Sequence, residues 1–243
     1  MTRTLPRLRA LAAVTTASAL VLGACGGGSE PAFDPVGADS IAHNAMLIVE
    51  DLPGEGWAVT EVDQFDDDQE LPADTEACRA LDRARTAVRD AVQTSRAGRA
   101  KTEFSREHDS GFETTVEATV NVFNDEAAPK RAFAAAEKEY SAKNVTDCFR
   151  AALSEGLGPE FKLTATTATP QAAAPEGGIA RAVAVTLEAG GEKLDLRFEV
   201  YLWRFSNAGI TVSLNGTTED LPKDVSVAAV GKVQAKLVEI AEE

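Results

Sequence analysis

A short apolar run near the start of the chain decides where the rest of it folds. Residues 1–9 carry Arg3, Arg7 and Arg9 and no acidic residue, and the 13 residues Ala10–Leu22 carry no charge. A membrane-spanning helix needs about 20 apolar residues, whereas the apolar region of a secretory signal peptide has about 7–15. The pattern therefore predicts export, and the chain that follows is expected to fold in an oxidising compartment.

The apolar run ends in Leu22-Gly23-Ala24-Cys25, which resembles the lipobox of bacterial lipoproteins. The resemblance implies that residues 1–24 are a signal peptide cleaved before Cys25. It also implies that Cys25 receives a diacylglyceryl group on its sulfur and an acyl chain on its amino group. Several acyl chains hold a protein stably where one is marginal, so the expected location is the extracytoplasmic face of the cell membrane, with the acyl chains as the contact to lipid. The alternative is an ordinary secretory signal that ends near a cysteine by chance.

The charge of the chain limits its partners. The sequence contains 24 lysines and arginines against 39 acidic residues, a net charge of −15. Removal of residues 1–24 takes away three arginines and no acid, which leaves 21 basic residues, 39 acidic residues and a net charge of −18. Nucleic acid is not expected as a partner, because phosphate binding requires a cationic face. The acidic surface also disfavours direct contact with anionic lipid, and the sequence indicates no particular oligomeric state.

Two cysteines remain after Cys25, and their compartment predicts how they are used. Cys78 and Cys148 are the pair, and in an oxidising compartment two cysteines more often form a disulfide than stay free. The alternative is two buried free thiols. The two histidines, His43 and His108, lie in unrelated segments, so we expect no metal site, and no motif indicates a cofactor.

The remaining sequence predicts one domain on a tether. Glycine, serine and proline are frequent in residues 25–37, which are expected to form a lipidated flexible tether. Residues 38–243 are expected to form a single globular domain. Apolar periodicity predicts, in chain order, a helix, a strand, a helix, a hairpin, two helices, four strands and a helix. This order indicates the α+β class, an antiparallel sheet with helices packed on it and one disulfide.

Two elements are predicted in more detail. Apolar residues at helical spacing over residues 41–52 predict a first helix that Asp39 or Ser40 caps. In the predicted hairpin, polar and apolar residues alternate along the second strand, Phe112–Phe123. That alternation predicts a half-buried strand with one solvated face.

The segment Asp51–Trp57, with the sequence DLPGEGW, resembles the helix-Leu-Pro-x-Gly-Trp opening of exported actinobacterial lipoproteins and sensor-type domains. The nearest group is the extracellular sensor domains of mycobacterial serine/threonine kinases of the PknH type, with their lipoprotein relatives. The resemblance extends to the order of the elements and to cysteines that flank a hairpin. It implies an extracytoplasmic α+β domain with a binding cleft, and it carries no catalytic residue onto this chain.

Two classes of function remain open. The first is a non-catalytic binding or sensor module for a small envelope molecule, apolar or anionic, or for a protein partner. The second is an enzyme that hydrolyses cell-wall material with a pair of carboxylates. The sequence lacks the G-x-S-x-G, H-E-x-x-H, C-x-x-C and P-loop patterns, which favours the non-catalytic module. A cleft lined by apolar groups would favour binding, and a cleft with two convergent buried carboxylates would favour hydrolysis.

The candidate binding site lies at the C-terminal end of a long predicted strand, Lys193–Phe205. One set of its alternate residues is apolar throughout, and the other set starts polar and ends in Tyr201, Trp203 and Phe205. A strand that is apolar on both faces must be covered on both faces. The second cover is either another protein layer or a ligand. In the second case these aromatics line a cleft, and Arg197 and Arg204 are the nearest cations for an anionic head group.

Overall fold

The computed structural model describes residues 33–64, 74–108, 112–158, 161–168, 174–219, 221 and 223–243. The signal peptide 1–24, the acylation site Cys25 and residues 26–32 of the tether lie outside the described residues, so they stay predictions. Within the described ranges, no helix is both long and apolar enough to cross a membrane.

Among the described residues, seven antiparallel strands form one sheet. Their order across the sheet is β1-β2-β3-β7-β6-β5-β4, so two runs of sequential strands meet where β3 pairs with β7. The strands are β1 Ala58–Val62, β2 Arg96–Glu107, β3 Glu113–Phe123, β4 Phe161–Ala168, β5 Ile179–Ala189, β6 Glu192–Phe205 and β7 Ala208–Thr217. The prediction of an α+β fold built on an antiparallel sheet is confirmed.

Five α-helices and one 3₁₀ turn accompany the sheet in the described ranges. They are α1 Ala38–Asn44, the 3₁₀ turn Val49–Asp51, α2 Glu76–Ser95, α3 Ala127–Glu139, α4 Ala142–Gly156 and α5 Lys223–Glu242. Hydroxyl side chains cap the N-termini of two of these helices. The side chain of Thr75 accepts a hydrogen bond from the backbone nitrogen of Cys78, and the side chain of Ser141 accepts one from that of Asn144. Such caps pair backbone donors that the first helical turn leaves free.

Helices cover both faces of the sheet. On the first face, α1 and α5 pack on apolar side chains of the central strands. These side chains include Phe104, Val116, Val120, Ile210, Val212, Leu214, Tyr201 and Trp203. On the second face, α2, α3 and α4 pack on apolar side chains of β5 and β6. These include Val183, Val185, Leu187, Leu196, Phe198 and Leu202.

A disulfide joins two helices of the second face. Cys78 in the first turn of α2 is bonded to Cys148 in α4, and both residues are buried. The predicted pairing is confirmed, and the alternative of two free thiols is not what the structure shows. The bond lies among apolar side chains of α2, α3 and α4, so it clamps the helical layer together.

The first helix is shorter than its apolar periodicity predicts. α1 ends at Asn44 and a separate 3₁₀ turn covers Val49–Asp51, so the prediction of one continuous helix through this segment is wrong. The reason lies far along the chain, where Nζ of Lys236 donates to the carbonyl oxygen of Met46 at 2.7 Å. In a continuous helix that carbonyl would accept from the backbone nitrogen of Glu50 instead.

Strand β3 is buried on both faces along most of its length, so the prediction of one solvated face is wrong. Glu117 is 6% exposed and Asn121 is 0% exposed, although both belong to its polar set of alternate residues. On the same face, Phe123 packs in one cluster with Ala91 of α2 and Ala128 of α3. The helical layer therefore extends over the polar side of this strand at its Phe123 end.

The DLPGEGW segment folds around one arginine. The indole nitrogen of Trp57 donates to the carbonyl oxygen of Pro53 at 3.0 Å, and the guanidinium carbon of Arg106 lies 4.7 Å from the centre of the indole ring. Gly54 and Gly56 both have a φ of 87°, which residues with a Cβ rarely adopt. A Cβ on Gly54 would also come within 2.8 Å of Nη1 of Arg106. The glycines therefore let the loop close over a cation–π contact.

Candidate functional site

The aromatic end of β6 lies in the core. Tyr201, Trp203 and Phe205 are all buried in the cluster on the first face. The indole nitrogen of Trp203 donates to Oε1 of Gln234 in α5 at 2.6 Å, and the hydroxyl of Tyr201 donates to Oε2 of Glu199. The second cover of this strand is therefore a protein layer in this structure. Ligand binding by these aromatics stays a prediction.

The two arginines predicted beside them lie on opposite faces of the sheet. Arg197 shares the first face with Tyr201 and donates from Nε to Oε1 of Glu199. Arg204 is seven positions from Arg197 on the same strand, and residues an odd number of positions apart point to opposite faces. Arg204 therefore shares the second face with Leu202. The structure does not bring the two arginines together around one cleft.

A different part of the sheet combines polarity with burial. On the second face of β2, β3 and β7, alternate residues are polar and mostly buried, and we call this surface the polar floor. It comprises Arg99, Lys101, Glu103, Ser105, Glu117, Thr119, Asn121, Thr211 and Ser213. The neighbouring strand β6 presents Phe198 and Leu202 on the same face. A buried polar surface costs free energy unless hydrogen bonds pair it, so the polar floor is the best candidate for a binding site.

One lysine and three glutamates occupy the middle of the polar floor and the edge beside it. Nζ of Lys101 lies 3.1 Å from Oε2 of Glu117 and 3.2 Å from Oε2 of Glu61 on β1. Glu103 stands directly opposite Glu117 in the pairing of β2 with β3. Its Oε1 accepts a hydrogen bond from Oγ1 of Thr60 at 3.0 Å. Two carboxyl groups therefore contact one ammonium group, and the carboxyl group of Glu103 lies close enough to be affected by its charge.

Burial changes the proton affinity of these groups. Burial raises the pKa of Glu117; Lys101 opposes this shift, and the charges of Glu103 and Glu61 add to it. Burial also raises the pKa of Glu103, against its hydrogen bond from Thr60. Burial by itself would lower the pKa of Lys101, but the attraction of Glu117 and Glu61 raises it. The lysine stays charged, and the two facing glutamates hold protons to a higher pH than usual.

A cross-strand row of four residues forms one end of the polar floor. Arg99 of β2 stands opposite Asn121 of β3. On the other side of Asn121 come Gly209 of β7 and then Arg204 of β6. Neither Oδ1 nor Nδ2 of Asn121 has a hydrogen-bond partner in the described structure, and the same holds for the buried Nε of Arg204. A buried polar group without a partner costs about 1–3 kcal/mol, so a molecule that pairs these atoms recovers that free energy.

The polar floor has little signature in the sequence. Lys101, Glu117 and Asn121 alternate with apolar residues, as they would on a strand with one face in water. Their burial depends on helices that pack from elsewhere in the chain. As for metals, no group of three or more histidine, cysteine, aspartate or glutamate side chains is placed to hold an ion in the part of the chain that the structure describes.

Two solved structures are similar to this chain. The extracellular domain of PknH from Mycobacterium tuberculosis is 13% identical with a TM-score of 0.47, over 88% of this chain and 99% of that domain. LpqN, involved in cell envelope biogenesis of Mycobacterium tuberculosis, is 12% identical with a TM-score of 0.26, over 53% of this chain and 65% of its own. No family model matches the sequence, and no curated protein matches it significantly.

Proposed function

We propose that this chain is a membrane-anchored extracytoplasmic module that binds a small polar molecule on the polar floor and catalyses no reaction. The observation that supports this function is Asn121, which is fully buried and has neither side-chain atom paired in the described structure. A side chain that serves only the fold would be apolar or fully hydrogen-bonded at such a position. Because the polar floor is shielded from water, polar contacts with a bound molecule are stronger there than at an exposed surface.

A second buried asparagine shows what structural use of this side chain looks like. Nδ2 of Asn207 donates to the carbonyl oxygens of Phe33 at 3.0 Å and Phe123 at 2.7 Å. Its Oδ1 accepts a hydrogen bond from the backbone nitrogen of Phe33 at 2.8 Å. Both polar atoms of Asn207 are thus used by the fold, whereas those of Asn121 are left for another partner.

The pair Asn121→Leu and Asn207→Leu tests this proposal, because leucine has a similar size and no polar side-chain atom. We expect Asn121→Leu to keep or raise the melting temperature, since no protein hydrogen bond is lost. It should also lose the small molecule that wild-type protein carries from its own envelope in native mass spectrometry. Asn207→Leu should cost about 2–4 kcal/mol, since three hydrogen bonds are lost.

Two results would contradict the proposal. One is a loss of stability in Asn121→Leu that equals the loss in Asn207→Leu, which would make Asn121 a structural residue. The other is the same set of bound molecules in wild-type protein and in Asn121→Leu.

The membrane anchor is the second part of the proposal, and the sequence LGAC supports it. Mass spectrometry of the mature protein should find Cys25 as the first residue, with the added mass of a diacylglyceryl group and an acyl chain. The variant Cys25→Ala should retain residues 1–24, because the resemblance places both the cleavage and the lipidation at this cysteine. A soluble, unlipidated wild-type protein that begins at another residue would rule out the anchor.

A cell-wall hydrolase is the second candidate, and one observation favours it. Glu103 and Glu117 face each other with raised pKa values, and hydrolysis of a glycan uses one protonated and one ionised carboxyl group. The ion pair of Glu117 with Lys101 weighs against it, because it already engages one of the two carboxylates. The test is whether wild-type protein releases reducing sugar from purified cell-wall glycan and whether Glu117→Gln abolishes that release. Both results together would establish this candidate in place of the binding module.

A further inference from the structure

The row Arg99–Asn121–Gly209–Arg204 has the chemistry of an anion site. We propose that it binds the carboxylate or phosphate group of a small molecule that also carries a hydroxyl group. The inference rests on the proposed function and adds the class of the ligand. It stands on the geometry of the row, on its enclosure, on its charge and on the two asparagine atoms that need partners.

The spacing of the row suits a small ligand. Its four residues are on the adjacent strands β2, β3, β7 and β6, and all face the helical layer. Neighbouring strands are about 4.8 Å apart, so the backbones at Asn121 and Arg204 are about 10 Å apart. Between them lies Gly209, which has no side chain. This distance matches a small hydroxylated anion that contacts the side chains of both Asn121 and Arg204.

The row is enclosed by the helical layer. Phe123, two residues beyond Asn121 on the same face, is fully buried in one cluster with Val92 of α2 and Ala128 of α3. The backbone nitrogen of Asn124 donates to the carbonyl oxygen of Ser95 at 2.8 Å, which joins the end of α2 to the chain that leads into α3. Hydrogen bonds to a charged group are stronger in such an enclosed place than in water.

The row concentrates positive charge in a protein whose net charge is −15. It contains Arg99 and Arg204 and no acidic residue. The glutamates of the polar floor stand further along the strands and surround Lys101. Glu126 is close enough to Arg204 to be affected by its charge, but Glu126 itself accepts a hydrogen bond from Lys130. An anion bound here would therefore lie beside the guanidinium of Arg204, whose Nε has no partner in the described structure.

The unpartnered atoms define the rest of the ligand. Nε of Arg204 and Nδ2 of Asn121 are donors, and both suit the oxygens of one oxyanion. Oδ1 of Asn121 is an acceptor without a partner in the described structure, so it needs a donor from the ligand. A hydroxyl group next to the oxyanion supplies that donor.

The test uses full-length mature protein and four probes: glycerol 3-phosphate, glycerate, inorganic phosphate and glycerol. Titration calorimetry should be set up to detect binding as weak as a dissociation constant of about 1 mM. We expect glycerol 3-phosphate or glycerate to bind, and to bind more tightly than inorganic phosphate or glycerol. Comparison of the first two distinguishes a phosphate ligand from a carboxylate ligand.

Variants assign the binding to the row. Arg204→Gln should weaken binding of the preferred anion by about tenfold or more, since a charge-assisted hydrogen bond is lost. Asn121→Leu should abolish the preference over inorganic phosphate. Arg131→Gln removes an exposed arginine on α3 and serves as the charge-matched control; it should leave all affinities unchanged.

Several outcomes would overturn the inference. They are a failure of both hydroxylated anions to bind, equal binding of glycerol, or anion binding that Arg204→Gln leaves intact. If a neutral molecule binds and is lost in Asn121→Leu but not in Arg204→Gln, the anion class is wrong while the proposed function stands. If nothing binds and Asn121→Leu only raises the melting temperature, both fail.

Discussion

At the scale of single residues, Trp203 is the largest side chain that is fully buried in the described structure. Its ring lies between β6 and α5, and its nitrogen donates to Gln234. We expect Trp203→Ala to lower the free energy of unfolding by about 3–5 kcal/mol, because it leaves a large cavity and an unpaired amide. Denaturant unfolding followed by circular dichroism measures this loss.

The same variant separates the two roles considered for the aromatic end of β6. As a core residue on the first face, Trp203 should not influence binding on the second face, so glycerol 3-phosphate affinity should stay unchanged in Trp203→Ala. Trp203→Phe keeps most of the ring and serves as the milder control. A stable Trp203→Ala protein that has lost a bound apolar molecule would instead make this end of β6 the binding cleft.

Residue-level sequence patterns predicted which side chains share a face but not what covers each face. The alternation along β3 correctly separates Val116 and Val120 from Glu117 and Asn121. It cannot show that α2 and α3 lie over the polar set, because the contacts that bury a side chain come from distant segments. The sequence alone therefore does not reveal the row that includes Asn121, while the aromatic residues at the end of β6 are core.

At the scale of elements, the docking of α1 onto β2 depends on a glycine. A Cβ on Gly98 would overlap the backbone of Ala38 and Asp39. Next to it, the backbone nitrogen of Arg99 donates to Oδ1 of Asp39 at 3.1 Å. We expect Gly98→Ala to cost about 1–3 kcal/mol or more, because the whole helix must move away from the strand.

Gly231 in α5 provides the matched control, since a Cβ there meets no atom within 4 Å. Alanine in a helix interior is favoured over glycine, so Gly231→Ala should raise stability by about 0.5–1 kcal/mol. Thermal unfolding of both variants under one set of conditions measures the contrast. Equal effects of the two substitutions would show that the close approach at Gly98 does not limit the packing of α1.

A histidine links α1 to the chain that follows β1. Nδ1 of His43 donates to the carbonyl oxygen of Asp39 at 2.6 Å, and its Nε2 lies 2.7 Å from Oδ2 of Asp63. The bond to Asp39 and the bond to Asp63 raise the pKa of His43. Burial by itself would raise the pKa of Asp63, but the backbone nitrogen of Lys101 and the ring of His43 lower it.

Because of these pKa shifts, the contact between His43 and Asp63 stabilises the fold only within a certain range of pH. The contribution of His43 is fully present below its ordinary pKa of about 6.5 and is lost as the pH rises through its higher folded value. That of Asp63 is present above about 3.9 and is lost as the pH falls through its lower folded value. We expect His43→Gln to cost up to about 1 kcal/mol between about pH 4 and 6.5, and nothing at high pH. A melting-temperature difference from wild type that is constant from acid to alkaline pH would contradict this.

Element order was predictable because glycine-rich turns separate the strands, but element ends were not. For example, β2 begins at Arg96, directly after α2 ends at Ser95, with no turn residues between them. The reason is that β3 offers pairing partners along its whole length, as far as Phe123 opposite Arg96. α1 ends early for a related reason, since Lys236 binds the carbonyl of Met46 from the far end of the chain.

At the scale of the whole molecule, the disulfide closes a loop that contains β2, β3 and α3. Cys78 and Cys148 are 70 positions apart, and closing a loop of this length is worth about 4 kcal/mol in the loop-closure model, whose mechanism is disputed. We expect the double variant Cys78→Ser, Cys148→Ser to lose a few kcal/mol of stability. Cys148→Ser alone should lose a similar amount and leave one thiol prone to mispairing.

Non-reducing peptide mapping identifies the linked peptides, and denaturant unfolding of wild-type and double-variant protein measures the loss. Reduced wild-type protein is the control, because it removes the bond without changing a side chain in the helical layer. Full labelling of both thiols in protein taken from its native compartment would contradict the pairing in the cell.

The clamp that Asn207 places on Phe33 sets an orientation for an anchored molecule. It fixes the start of the described chain at the turn between β6 and β7. Phe33 is eight positions from Cys25, so the connecting chain reaches at most about 29 Å. With lipid on Cys25, this end of the sheet is tethered within that distance of the bilayer, and the far ends of β2 and β3, at Glu107 and Glu113, lie at the opposite end of the sheet. The row of Asn121 is at the tethered end, so in a lipidated protein a ligand held by this row would lie within reach of the membrane surface.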